Sequence, residues 1–205
     1  MSDEDRIEQA TRFLLEEHRA RRPFSPVPTS FAPRTVDEAY VMQDAFATHL
    51  AVTQGPVAGY KIALTAPVMQ QMAGFHEPVA GTILTQTIHH SPSTARSAAY
   101  MHLGVECEIA VQLGRELPAT SAPWSRADVA EAVGTVMAAF ELVDDRNANY
   151  AHLADQMLSG IADNAWNAGI VLGPPVTAWR ALDLAAVRGT MQHRQATPNV
   201  AQENR

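Results

Sequence analysis

The chain has 205 residues, 46% hydrophobic and 18% charged, with a formal net charge of −7, enough to bury a sizeable core in one domain or two small ones. The acidic balance and the absence of a dense Lys/Arg run argue against a nucleic-acid binder, and no run approaches the roughly 20 apolar residues of a membrane span. The single cysteine, Cys107, forbids an intrachain disulfide and suits a reducing cytoplasm, and the acidic start Ser2-Asp3-Glu4-Asp5 lacks the pattern of a signal peptide.

Residues 4–20 place Ile7, Ala10, Phe13 and Leu14 on one helical face. Arg19, Arg21 and Arg22 read as the solvated C-terminal end of that helix. Pro23, Pro26, Pro28 and Pro33 then forbid continuous helix. Thr35-Val36-Asp37-Glu38 has the form of a capping box and predicts a helix over 36–53, ending near Gly55. From Val57 the pattern changes. Residues 57–64 predict a strand, 66–73 a short helix stopped by Gly74, and apolar runs recur at 81–88, 104–113, 135–143 and 168–173. Ser125 and Asp128 mark the start of a helix over 125–133, and another is predicted at 151–161. His89-His90 reads as loop, residues 182–191 as the approach to a further strand, and residues from about 192 onward as a disordered tail. Strands of mixed spacing with scattered helices predict an α+β fold with a β-rich core.

Glu106 and Glu108 lie two apart in the apolar run 105–111, so a strand would set both on one face. Two carboxylates that close repel unless a proton or cation intervenes. Glu141 stands in a second apolar run, 138–143, and three rigid oxygen donors suit a hard cation such as Mg²⁺. Cys107 points to the other face and is expected to be a small buried hydrophobe. Lys61, the only lysine, sits within an apolar strand, where burial and neighbours can fit it for proton transfer or for holding a carboxylate. Asp144-Asp145-Arg146 reads as a strand-end turn and Asp163-Asn164 as a turn or cap. The eight histidines show no zinc-ligand spacing, and no Gly-x-Ser-x-Gly elbow is present.

Five segments then occur in a familiar order: Gly59-Tyr60-Lys61-Ile62-Ala63-Leu64-Thr65, Glu77-Pro78-Val79-Ala80-Gly81, Val105-Glu106-Cys107-Glu108-Ile109-Ala110, Phe140-Glu141-Leu142-Val143-Asp144, and Ile161-Ala162-Asp163-Asn164-Ala165-Trp166-Asn167-Ala168-Gly169. Together they resemble the 2-keto-4-pentenoate hydratases of the fumarylacetoacetate hydrolase superfamily, over roughly residues 5–190. The resemblance implies a mixed β-roll core with N-terminal helices, Mg²⁺ or Mn²⁺ as cofactor, and Glu106, Glu108 and Glu141 as its ligands. It implies catalytic roles for Lys61 and Glu77, substrate binding by Thr65, Asp163 and Asn164, and a homo-oligomer. The implied reaction is hydration of a small 2-hydroxy-2,4-dienoate in aromatic catabolism. Decarboxylation of a 4-oxalocrotonate type of 2-oxo acid and acylpyruvate hydrolysis are the alternatives on the same scaffold.

Two departures from the family pattern qualify this. Val79 stands where many such hydratases carry an acid, leaving Glu77 or a water to take that proton-transfer role. Relatives continue for several dozen residues past the point matching Met191, so the expectation is a truncated core lacking its C-terminal strands. Residues 1–55 would then form a helical region, 56–191 an incomplete metal-binding core, and 192–205 a tail. A remnant acting only as an interaction subunit is the non-catalytic alternative.

Overall fold

The structure is a computed structural model that describes residues 1–192. Helix α1 (Asp3–Arg19) opens on a complete capping box: Ser2 Oγ accepts the Asp5 N–H at 3.1 Å and Asp5 accepts the Ser2 N–H at 2.9 Å. Helix α2 (Val36–Gln54) has half of one. Thr35 accepts the Glu38 N–H, but the Glu38 carboxylate turns instead to the Arg34 N–H and to Arg6, at 2.8 and 2.9 Å. That ion pair joins the two helices, and with the Arg34 N–H it pulls the Glu38 pKa down to about 2. Helices α3 (Pro67–Ala73), α4 (Arg126–Ala132) and α5 (Leu153–Ala162) complete the helical set. Gly74 ends α3 in the left-handed conformation, and Ser125 with Asp128 caps α4.

Strands β1 (Val57–Ala63) and β2 (Val79–Leu84) form an antiparallel pair that aligns Lys61 with Gly81. Strands β3 (Ile88–His90), β4 (Leu103–Leu113), β5 (Val133–Asp144) and β6 (Asn167–Leu172) make a second sheet in the order β3-β6-β5-β4. Only β3–β6 is parallel. Two apolar clusters meet at α5: Leu14, Met42, Phe46 and Ala162 on one side, and Ala39, Val79, Leu153 and Ile161 on the other. The proline-rich connector joins them, with Val27 buried and its N–H donating to Ser159 Oγ at 3.0 Å. No described helix is long and apolar enough to cross a membrane.

Several expectations need correction. The run 81–88 is not one strand, because a 3-10 turn at Thr85–Thr87 separates β2 from β3. His89 and His90 belong to β3, paired with β6, rather than to a loop. Residues 182–191 form no strand. Only Gly189 is seen close to the outer face of β4, where a methyl built on it would lie 4.0 Å from Cys107 Cβ. Cys107 faces away from the glutamates as expected, yet it is exposed. Alternation fixes the face of a side chain, whereas burial depends on what covers that face. Arg21 is no idle solvated charge: its guanidinium donates to the carbonyls of Ala98, Ala99 and Tyr100 and ties down the loop before β4. Of the expected tail, residues 193–205 lie outside the described residues.

Candidate active site

The β4–β5 ladder sets Glu106 directly opposite Glu141, and Glu108 one alternate position further along the same face. One carboxylate oxygen from each of the three lies within 4.8 Å of the others. Glu106 and Glu108 are open to solvent, while Glu141 is 3% exposed. Glu141 Oε1 already accepts two donors, Lys61 Nζ at 3.2 Å and Asn167 Nδ2 at 2.9 Å, leaving its second oxygen uncommitted. Burial, then the neighbouring charges of Glu141 and Glu106, push the Glu108 pKa up, with Lys61 opposing. A carboxylate in that position gains from a cation set among the three. The donor set fits a hard divalent ion: all ligand atoms are oxygens, two donors share one strand, and one side is open.

Lys61 reaches the face from the other sheet. It is buried, and its stem passes over Gly81, where a methyl would lie 2.7 Å from the Asn164 carbonyl oxygen and 3.0 Å from Lys61 Cε. Only a residue without Cβ leaves the lysine that path. Asn164 is fixed to β2 by two bonds, from the Thr82 N–H to Oδ1 at 2.6 Å and from Nδ2 to the Thr82 carbonyl at 2.8 Å. Asn164, Ala165 and Trp166 all have positive φ, of 56°, 47° and 57°. Each such non-glycine residue costs on the order of 1–3 kcal/mol, so surrounding bonds must hold the turn. Asp163 supplies them: at 1% exposure it receives Arg146 on one oxygen and His18 on the other.

The remaining expected residues lie apart from this cluster. Thr65 is exposed just beyond β1, and Glu77 is exposed just before β2. Among the described residues no hydrogen bond or ion pair joins either to Lys61 or to the glutamates. Val79 is 2% exposed in the apolar cluster at α5, so no polar group reaches the site from that position. Asp163 and Asn164 line a cavity of about 240 Å³ together with His18, Thr82, Trp166 and Asn167.

No family model matches the chain. It is 31% identical over 188 residues to the 2-keto-4-pentenoate hydratase of Paraburkholderia xenovorans (strain LB400), covering 91% of this chain and 68% of that protein. The chain belongs to the 2-keto-4-pentenoate hydratase family. A 2-hydroxyhexa-2,4-dienoate hydratase of Comamonas testosteroni is 30% identical over 189 residues, 91% of this chain and 69% of the relative. The fold matches that of a 4-oxalocrotonate decarboxylase from Pseudomonas putida G7, complexed with magnesium and adipate, with a TM-score of 0.74 at 19% identity. That match covers 88% of this chain and 67% of the other, and it places the hydratase-family chain in a fumarylacetoacetate hydrolase-type fold of mixed helix and sheet.

Sequence reasoning missed three parts of this hydratase-family site. Gly81 was available from the hairpin register, as the residue facing Lys61. Asn167 lies inside a quoted segment, but only the β5–β6 pairing brings it to Glu141. Arg146 reads only as part of a strand-end turn, whereas it is 2% exposed and buried against Asp163 and the ring of Phe24.

Proposed function

We propose that this chain is a divalent-metal-dependent hydratase that adds water to a small 2-hydroxy-2,4-dienoate. Glu106, Glu108 and Glu141 would hold Mg²⁺ or Mn²⁺. The observation that carries this is the convergence of three carboxylates and one buried lysine on a single strand face, in a chain about 30% identical to named hydratases. When bound, the metal supplies Lewis-acid stabilisation of enolate-like charge on a 2-oxo acid. Lys61 Nζ lies 3.2 Å from Glu141 Oε1, where it can deliver a proton to the substrate carbon chain and later recover one. Asn167 holds Glu141 Oε1 at 2.9 Å, which leaves the other oxygen for the metal. Glu77, exposed just before β2, is a second proton-transfer candidate acting through water, since no direct bond links it to Lys61. Thr65, Asp163 and Asn164 are assigned to substrate binding by the family resemblance; the last two border a cavity that neither Lys61 nor the glutamates line. The two sheets are read as parts of a mixed β-roll, residues 1–55 as a helical region against it, and the assembly as a cytosolic homo-oligomer.

Decarboxylation is the second reading, favoured by the fold match and by the apolar Val79. With Mg²⁺ or Mn²⁺ present, a 2-hydroxy-2,4-dienoate is expected to lose its ultraviolet absorbance without release of carbon dioxide. Carbon dioxide release from a 4-oxalocrotonate would decide for the decarboxylase, and pyruvate with a second acid for an acylpyruvate hydrolase. Lys61→Met should lower kcat about 10²- to 10⁴-fold while Mn²⁺ still binds. Glu108→Gln should weaken Mn²⁺ binding about tenfold or more. A chain that neither binds Mn²⁺ nor turns over any of these acids refutes the enzymatic reading.

A further inference from the structure

The glutamate-bearing face of the β4–β5 ladder carries one more ordered polar group. His102 immediately precedes β4, and by strand alternation it falls on the side of Gly104, Glu106 and Glu108. Across from it, Asp145 continues the side of Val143 and Glu141. The two meet, with His102 Nδ1 2.7 Å from Asp145 Oδ1. Asp145 is 5% exposed and also accepts the Asn147 N–H at 2.9 Å and the Tyr150 hydroxyl at 3.0 Å. The imidazole is therefore oriented through Nδ1. Its Nε2 makes no hydrogen bond among the described residues, and the side chain is 59% exposed. Gly104, the rung between His102 and Glu106, places no side chain on the floor that joins them. Tyr150 leans toward the same floor: burial, Asp145 and then the Glu106 charge hold its pKa above the ordinary phenol range.

We propose that His102, oriented by Asp145 and Tyr150, binds a carboxylate at the distal end of the substrate, so that the site prefers dioic 2-oxo acids to monoacids. This rests on the hydratase reading above. Four residues of strand separate His102 from Glu106, about 13 Å of rise. A six-carbon acid spans roughly 6 Å at carbon–carbon bonds of about 1.5 Å. Coordination at one end and a hydrogen bond at the other add about 2 Å and 3 Å, and the imidazole's own reach closes the rest. A substrate of this size anchored at the glutamates thus meets His102 with its last carbon, beyond the reacting carbons. A hydrogen bond from Nε2 to a carboxylate is charge-assisted, roughly twice as strong as a neutral one. The negative charge of Asp145 is met by three donors. The Asp144 oxygens are held by the N–H groups of Met101 and His102 at 2.9 Å each.

Two non-reacting probes that differ only at the far end, 2-oxoadipate and 2-oxohexanoate, test this by calorimetric titration in the presence of Mg²⁺. The wild-type chain should bind 2-oxoadipate about tenfold more tightly, equal to about 1.4 kcal/mol. His102→Ala should abolish that preference, and His102→Gln, which keeps a donor, should retain part of it. Tyr150→Phe leaves the ring in place but removes one donor from Asp145; it should lower the preference about threefold, and it serves if His102→Ala fails to fold. A wild type without the preference, or variants that keep it in full, overturn the assignment of His102 while the hydratase reading stands. If neither probe binds and Mn²⁺ does not bind either, the three-glutamate reading fails and this inference fails with it.

Discussion

At Gly81 a side chain would collide with the Asn164 carbonyl and with the stem of Lys61, at 2.7 and 3.0 Å. That oxygen is backbone, and the Asn164 side-chain amide ties the residue to Thr82 by two bonds, so it cannot give way cheaply. Gly81→Ala should therefore cost about 1–3 kcal/mol of stability by overpacking. It should also lower kcat, because the lysine is the softer neighbour and moves first. Urea unfolding and steady-state kinetics would show this, and an alanine variant as stable and as active as wild type would remove Gly81 from the site. The glutamates were legible in the sequence because strand alternation is a strict two-residue period. Lys61 was legible because a lone lysine in an apolar strand requires a partner. Gly81 and Asn167 were not, since each acts through a contact between strands whose pairing the sequence does not state.

Helix ends and strand ends meet at one buried ion pair. Arg146, just beyond β5, joins Asp163 at the end of α5, also donates to the Arg22 carbonyl at 3.3 Å, and lies 5.7 Å from the ring centroid of Phe24. His18 reaches the same Asp163 from the last turn of α1. Removing the cation leaves a carboxylate at 1% exposure with only the histidine to meet it. Arg146→Ala should thus destabilise the fold by about 3–5 kcal/mol, measured by chemical denaturation. A loss below about 1 kcal/mol would mean that His18 alone suffices. The helices and most strands were legible from caps and apolar periodicity, to within a residue or two for α1, α2, α4 and α5. The exceptions share a cause. Residues 182–191 have the apolar content of a strand but find no ladder partner, and His89-His90 lacks that content yet gains one in β6. Pairing, a long-range property, decided both.

Across the whole molecule the second sheet presents two unlike faces. One bears the glutamates; the other exposes Val105, Ile109, Val111 and Leu113 of β4 beside Phe140, each 40–55% open. β4 is also an edge among the described strands, so apolar surface and unpaired backbone coincide. This chain should self-associate as concentration rises, seen as a growing mass in light scattering. Val111→Lys should suppress the association while Mn²⁺ binding persists, because residue 111 lies on the face away from the glutamates. A monomer at all concentrations would show that this exposed face does not drive association.

The ladder that carries all three glutamates also bears on how the chain acquires its chemistry as it folds. Glu106, Glu108 and Glu141 come from one antiparallel pair, whereas Lys61 arrives from a separate sheet, 80 positions before Glu141. Contacts closer in sequence form before more distant ones when other things are equal. An ion captured by the β4–β5 hairpin would serve as a template for the half-folded chain. The proton-transfer group would join it only when β1 and β2 dock.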